Sequence, residues 1–448
     1  TNIDVCPTGT LRIEPGVELR FAEMPSPLRV DVEGTLDING TAGSPVLLTS
    51  DSDAPAPEDW QGLRLMAGST SDVEHATIEH ATNAVYINAT SATLDHVATT
   101  DSNVGVYVRG DATVGIHALT SRLTEHGLFV YDGNSTVTVT GSTLTDNTQY
   151  GVYLNGDYNT TAPQVTIRGS SIHSNLGTYD LYTWRYANSG QQVVLARDNW
   201  WGTPDQTAIS GRIYDYRRQN LSPLVDFCGW LEMEGGAPFR DAECPDLAIC
   251  GEVADWTVTT RPYLLTSDLR ICSTGTLNVG PGVEVRAAVT SPTLDFINYG
   301  ILDVNGTAGN EVRFTSDADT PAAADCSGLY SYSGSGSAIE HATIEHATNA
   351  VYVNNTSATL DHVVTSGSTR GVYVHGNSTV GIHALTSRLN NHGLYVYDGN
   401  STVTVTDSTL TDNSQYGVYL DGDYNTTAPQ VTISGSSIHS NLGTYDLY

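Results

Sequence analysis

Four segments of the chain share one arrangement of apolar positions: Val85-Tyr86-Ile87, Val106-Tyr107-Val108, Leu128-Phe129-Val130 and Val152-Tyr153-Leu154. Each sets an aromatic ring between two aliphatic side chains. In an extended strand, side chains alternate between faces, so the aliphatic pair lies on one side and the ring on the other. Between these segments come further β-branched runs such as Thr136-Val137-Thr138-Val139-Thr140, punctuated by Gly, Asn and Asp. That punctuation marks turns, and no stretch sustains the apolar period of a helix. Aligning on Val97, Leu119, Leu144 and Ile172 gives steps of 22, 25 and 28 residues. Short strands recurring once per coil of this length predict a parallel β-helix. Each coil there satisfies its backbone hydrogen bonds by pairing with the coils before and after it.

A longer repeat encloses the coils. Shifting the sequence by 266 residues superposes Cys6 to Tyr182 on Cys272 to Tyr448 without a gap, and Glu74–Tyr182 differs from Glu340–Tyr448 at 17 of 109 positions. Self-similarity of this kind signals a repeat architecture. The differences report orientation: Arg109 becomes His375, Asn155 becomes Asp421, and Phe129 becomes Tyr395. Polar exchange of this sort belongs on an outer surface, so the valines fill the bore and the rings face outward. The expected fold is all-β, a right-handed parallel β-helix (solenoid) in two tandem copies of the 266-residue unit. At about 4.8 Å per coil, some eleven coils per unit would advance ~50 Å, and the two units are expected to share one axis. The expected boundaries are a first unit over 1–227, a disulfide-bearing junction over 228–250 and a second unit over 251–448. The run TWRYANSGQQVVLARDNWWG that follows Tyr182 has no counterpart after Tyr448, and the chain opens on Thr1, so a longer parent protein is expected.

Charge narrows the partners. The formal net charge is −31, and all 19 basic residues are arginines. Such a surface repels phosphate backbones and anionic lipid, which excludes nucleic acid as a partner. No apolar run is long enough to span a bilayer, so no membrane insertion is expected in this segment. Divalent cations and neutral glycans fit the charge better. No cofactor is expected, with Ca²⁺ the one cation left open. The six cysteines are widely spaced without a CxxC pair, which argues against zinc and for an oxidising, extracellular compartment. Candidate bridges are Cys250–Cys272 and Cys228–Cys244, although four cysteines allow three connectivities. Cys326 stands where the first unit has Trp60 and has no evident mate. Sequons for N-glycosylation start at Asn39, Asn88, Asn134, Asn159, Asn220, Asn305, Asn354, Asn355, Asn377, Asn400 and Asn425.

GTLRIEPGVELRF at 9–21 and GTLNVGPGVEVR at 275–286 resemble the first coils of secreted right-handed parallel β-helix repeat proteins. So do VLLTSD followed by DWQGL (46–51, 59–63), DNWWGTPD at 198–205 with RIYDY after it, and WTVTTRPYLLTSDLRI at 256–271. The resemblance covers nearly the whole chain and implies the pectate-lyase-like superfold in an extracellular or envelope setting. It implies no activity, since that fold hosts enzymes, adhesins and inert stalks alike.

Polysaccharide hydrolysis needs two carboxylates flanking the bond, and elimination needs a base beside a carboxylate-bound cation. The sequence shows no paired-Asp signature, no Gly-His-Gly segment and no Arg-x-Pro-x-x-Arg cluster, so a non-enzyme is expected. Leu94-Asp95-His96-Val97 is similar to an Asp-His of pectate lyases, but it recurs as Leu360-Asp361-His362-Val363. The densest polar cluster is Glu74-His75, Glu79-His80, Asp95-His96 and His117, repeated as Glu340-His341, Glu345-His346, Asp361-His362 and His383. It reads as a solvated outer face with cross-strand pairs, or else as a metal or glycan site. The stronger candidate is an outward aromatic column: Tyr86, Tyr107, Phe129, Tyr153 and Tyr182, repeated as Tyr352, Tyr373, Tyr395, Tyr419 and Tyr448. Its rings either stack only on one another or contact a neighbouring molecule or a glycan. The expected function is a structural or adhesive cell-surface filament that associates with itself. The alternative is a polysaccharide-binding or polysaccharide-active β-helix protein.

Overall fold

Most coils consist of three short strands that turn at residues in the left-handed backbone region. The coil starting at Asn83 runs through strands Asn83–Asn88, Ser91–Asp95 and Ala98–Thr100, with corners at Ala89 (φ 51°), His96 (φ 52°) and Asp101 (φ 46°). One left-handed residue swings the chain from one sheet to the next without breaking the ladder, because its N–H still reaches the following coil. His75 N donates to Asp95 O at 2.9 Å, His96 N to His117 O at 3.0 Å, and Ala118 N to Thr140 O at 3.0 Å. That conformation is costly for most side chains and least so for Gly, Asn, Asp and His, which is why such residues recur at the corners. Leu123 (φ 54°) and Leu389 (φ 57°) hold the same conformation without that dispensation.

The computed structural model describes residues 1–157, 162–238, 242–397, 399–422 and 428–448. It contains two compact units, Thr1–Arg240 and Asp241–Tyr448. Among the described residues, all the sheets are parallel stacks of equivalent strands: nine, nine and seven strands in the first unit, and eight in each sheet of the second. The rungs are fewer than the eleven expected, because early coils are enlarged. Residues between Phe21 and Leu28, and between Ser50 and Trp60, loop outward instead of adding strands. A short helix, Gln206–Gly211, capped by Asp205 Oδ1 accepting from Ala208 N at 2.7 Å, also interrupts the strand pattern.

Alternation orients the strands of the aromatic face as expected. Val85, Ile87, Val106, Val108, Leu128, Val130, Val152 and Leu154 are fully buried in the bore, while the rings between them face outward. At one corner the bore also takes a polar stack. Thr124 Oγ1 donates to Asn147 Oδ1 at 2.6 Å, Asn147 Nδ2 to Asn175 Oδ1 at 2.9 Å, and Asn175 Nδ2 to Asp180 Oδ1 at 2.8 Å. Asp180 is held by Arg212 Nε at 2.8 Å. The second unit repeats the stack through Asn390, Asn413 and Asn441 to Asp446.

The units differ most where their bores begin. In the first, Phe21 stacks on Trp60 (4.0 Å between centroids, 3° between planes), and the indole donates to Glu79 O at 2.8 Å. In the second, Ala287 and Cys326 occupy those places, and Val30 and Leu48 are replaced by Phe296 and Phe314. The larger residues refill only part of the space, leaving a cavity of about 30 Å³ bordered by Ala287, Phe296, Phe314 and Cys326. Cys250 and Cys272 form a disulfide, Cys228 and Cys244 are likewise in disulfide linkage, and Cys6 and Cys326 are free thiols.

Two measurements check this packing. Asn147→Ala leaves the Thr124 hydroxyl without its acceptor and takes one of two donors from Asn175 Oδ1, which keeps the Asn147 N–H, and should cost about 2–4 kcal/mol in urea unfolding. The exposed Thr138→Ala should change stability by less than about 0.5 kcal/mol. Burial pushes the Cys326 thiol up to about 12, so a thiol reagent at neutral pH should label Cys6 alone in the native protein and both residues after denaturation.

Candidate functional site

The ladder follows from strand register. On the outer face of the first sheet, Arg64, Tyr86, Tyr107, Phe129, Tyr153, Tyr182 and Tyr214 stand directly opposite one another in successive coils. Coils stack at about 4.8 Å, which is close to the contact distance of two flat rings. Tyr107 and Phe129 accordingly lie 4.7 Å apart at 8°, Phe129 and Tyr153 4.5 Å at 6°, and Tyr182 and Tyr214 4.6 Å at 22°. Tyr86–Tyr107 and Tyr153–Tyr182 meet edge-on at 5.4 Å. The second unit runs Tyr330, Tyr352, Tyr373, Tyr395, Tyr419 and Tyr448 with centroid steps of 4.9, 5.0, 5.0, 4.8 and 5.1 Å.

All ten aromatic residues expected from the sequence therefore fall on this one face of their units. Tyr214 and Tyr330 extend the column, and sequence reasoning missed both, although Ile213-Tyr214 carries the same aliphatic–ring alternation. Two flanking columns were also missed. On one side His126 stacks on Tyr150 (5.3 Å, 3°) and Tyr150 on Tyr182 (4.9 Å, 9°), with His392 and Tyr416 repeating the arrangement at 5.6 Å. On the other, Arg109 lies 5.6 Å from the Tyr131 ring centroid, and Tyr131 Oη donates to Asp157 Oδ2 at 2.9 Å. Mutual packing leaves the ladder rings half-buried, with Tyr448 more exposed at 54%. Desolvation pushes the phenols of Tyr107, Tyr182 and Tyr395 up to about 12. They stay neutral hydrogen-bonding groups across physiological pH.

The acidic and histidine cluster divides between corners. His75 and His96 are corners after the second sheet and His117 is the strand end before the next one, with His75–His96 at 4.5 Å, His96–His117 at 5.6 Å, and His96 Nδ1 2.8 Å from Asp95 Oδ1. His341, His362 and His383 repeat the run at 4.6 and 5.7 Å. Glu79 and His80 lie at the corner after the third sheet, where Thr49 Oγ1 is 2.8 Å from Glu79 and 3.0 Å from His80 Nδ1. Glu345, its counterpart, is paired with Arg313. The Asp-His of Leu94-Asp95-His96-Val97 is thus a strand end and a left-handed corner. Among the described residues, no group of three or more His, Cys, Asp or Glu side chains could hold a metal ion.

Several sequons are explained by corner geometry. In the Gly-Asn-Ser-Thr corners the Ser hydroxyl turns inward, Ser135 and Ser401 donating to the carbonyls of Gly110 and Gly376. Asn355 Oδ1 accepts from Asn377 N at 3.0 Å, and Asn377 Oδ1 from Asn400 N at 3.1 Å. Asn39, Asn88, Asn134, Asn220, Asn305, Asn354, Asn355, Asn377 and Asn400 are all partly or fully exposed. Asn159 and Asn425 lie outside the described residues.

Two family models match the chain. One, a right-handed β-helix region, matches residues 59–191 and 325–445; the other, a pectate-lyase-like β-helix domain, matches residues 2–92. No curated protein matches. Among solved structures the chain is similar to a mutant of a PL6 family alginate lyase, at 10% identity over 99% of this chain and 97% of that one, with a TM-score of 0.15. The expectation that the chain is not an enzyme is withdrawn: the right-handed β-helix fold is compatible with catalysis, and missing motifs are no evidence against activity.

The His126 ring tests how tightly the face is packed. Burial lowers it to about 4, with a backbone hydrogen bond at Glu125 opposing. Because the unfolded chain takes up this proton near pH 6.5 and the folded chain only near pH 4, stability present above pH 6.5 is lost as pH falls towards 4. The loss attributable to His126 should reach about 3 kcal/mol. His126→Phe should flatten the stability–pH profile in this window relative to the parent, as read by chemical denaturation at each pH.

Proposed function

This chain belongs to the right-handed β-helix family, and from that premise we propose that it is a structural or adhesive extracellular repeat protein whose aromatic face is its contact strip. The observation that carries the reading is the aromatic ladder, in register through consecutive coils of both units. A continuous apolar strip on a chain of net charge −31 is the place where another molecule can approach without meeting like charge. The disulfides suit an oxidising compartment, and the exposed sequons suit glycosylation there.

Ring geometry favours a protein contact over a glycan. A sugar stacks on an open ring face, but from Tyr107 through Phe129 to Tyr153 each ring covers the face of the next. What is presented outward is a row of ring edges and phenolic hydroxyls. Partial burial of several rings would contribute about 1.5–3 kcal/mol for each ring fully covered, less the cost of ordering the contact.

The test is to replace Tyr107, Tyr153, Tyr373 and Tyr419 by Ser together. Circular dichroism should show the β-helix intact, because the bore is untouched. Self-association or adhesion to a surface should weaken by about tenfold or more. Unchanged association would leave the ladder as internal stacking only, and collapse of the fold would make it part of the core.

A further inference from the structure

Both units place one arginine, without a carboxylate partner, among the rings of the same coil, but they reach that state by different residues. In the first unit, strand Val104–Arg109 ends in Arg109; in the second, the equivalent strand Arg370–His375 begins with Arg370. Arg109 is replaced by His375 and Val104 by Arg370, so the cation has crossed from one side of the ladder to the other. Arg109 lies over Tyr131 at 5.6 Å, and Arg370 over both Tyr373 and Tyr395 at 4.9 Å. Arg370 Nη1 donates to Asn349 Oδ1 at 3.1 Å, and Arg109 interacts with the Tyr86 hydroxyl and, at longer range, with Asp132. Neither has a carboxylate within ion-pair distance among the described residues, although acidic residues outnumber arginines by 50 to 19. An arginine without a close carboxylate amid such an excess, and held in place by rings, is poised for one from outside.

The chain carries the complementary surface itself. On the outer face of the second sheet, carboxylates stand opposite one another in adjacent coils: Glu74 against Asp95 and Glu340 against Asp361. Like charges in register are destabilising, and Glu74 and Glu340 have no cationic partner among the described residues. Resting on the contact-strip reading above, we propose that the partner of the aromatic face is the acidic second-sheet face of another molecule of this chain, with Arg109 and Arg370 meeting those carboxylate pairs. The two faces are different surfaces, so the contact is heterologous. Each unit carries a face of each kind, so a unit engaged through one keeps the other free and the association propagates. The charge pairs set orientation and encounter rate, and the rings supply the desolvated centre.

Sedimentation velocity on the full chain at about 0.05 M salt tests this. The pair Arg109→Glu with Arg370→Glu should weaken self-association by about tenfold or more. Glu74→Arg with Glu340→Arg, which leaves the ladder untouched, should do the same. An equimolar mixture of the two variants should recover association close to that of the parent, because every interface then joins opposite charges. Either variant associating like the parent, or a mixture that fails to recover, overturns the proposal. If the charge variants behave like the parent while the Tyr→Ser variant is weakened, the partner is wrong and the contact strip stands. A parent that stays monomeric but binds a polysaccharide through the ladder overturns the proposal in favour of a glycan partner. A parent that does neither removes the strip reading as well.

Discussion

Everything on the surface of this protein inherits its position from the backbone hydrogen bonds between coils. A parallel ladder fixes neighbouring coils about 4.8 Å apart and sets equivalent residues directly opposite each other. Whatever occupies one position of a coil is therefore in contact with whatever occupies that position in the next. Tyr becomes a stack, Asn a buried amide chain, His a file of imidazoles, and Glu opposite Asp a like-charge pair. Stacked rings and chained amides gain from this spacing, whereas carboxylates lose by it. A parallel solenoid thus concentrates both its stability and its frustration into columns, each with a single chemical character.

The columns that follow from strand alternation were legible in the sequence. Val106-Tyr107-Val108 states that the valines face one way and the ring the other, and an independent reading came from Phe129 becoming Tyr395, tolerable only on an outer face. The corners were less legible. Asp95-His96 looked like chemistry because a side chain cannot announce its own backbone conformation. Only φ at His96 reveals that the residue is there to turn the chain, with its ring stacked on the His75 corner of the preceding coil. The flanking columns were missed for a different reason. His126 and Tyr150 sit two positions before Leu128-Phe129-Val130 and Val152-Tyr153-Leu154, outside the alternating segments, and coils of unequal length hide their correspondence until the register is known. The wide early coils escaped too, because a loop leaving the bore has no periodicity by which to be counted.

Comparison of the two units separates what the fold requires from what it merely permits. The asparagine stack survives without change of register, as expected where a lost partner would leave buried amides unsatisfied. The Phe21–Trp60 pair does not survive. Its loss is partly made good by Phe296 and Phe314, at the cost of a small cavity and a thiol left in the bore. Apolar packing can be redistributed among neighbours because it is not directional, whereas a hydrogen-bonded column cannot be moved piecemeal.

The arginine of the aromatic face behaves in a third way. It is neither kept in place, like the asparagines, nor traded for neighbouring volume, like the Trp60 pair; it changes column and stays on the coil. A charge needed for stability would be tied to a particular carboxylate, and neither Arg109 nor Arg370 pairs with one among the described residues. A charge with no role would be free to disappear, leaving a strip without arginine such as Val104 and His375 would make together. Movement across the ladder with retention on the face fits a requirement placed on the surface as a whole, where a long flexible guanidinium can serve from either side of the same rings. On the proposal above, that requirement would be set by what the face meets, and in both units the guanidinium lies over rings of the aromatic face.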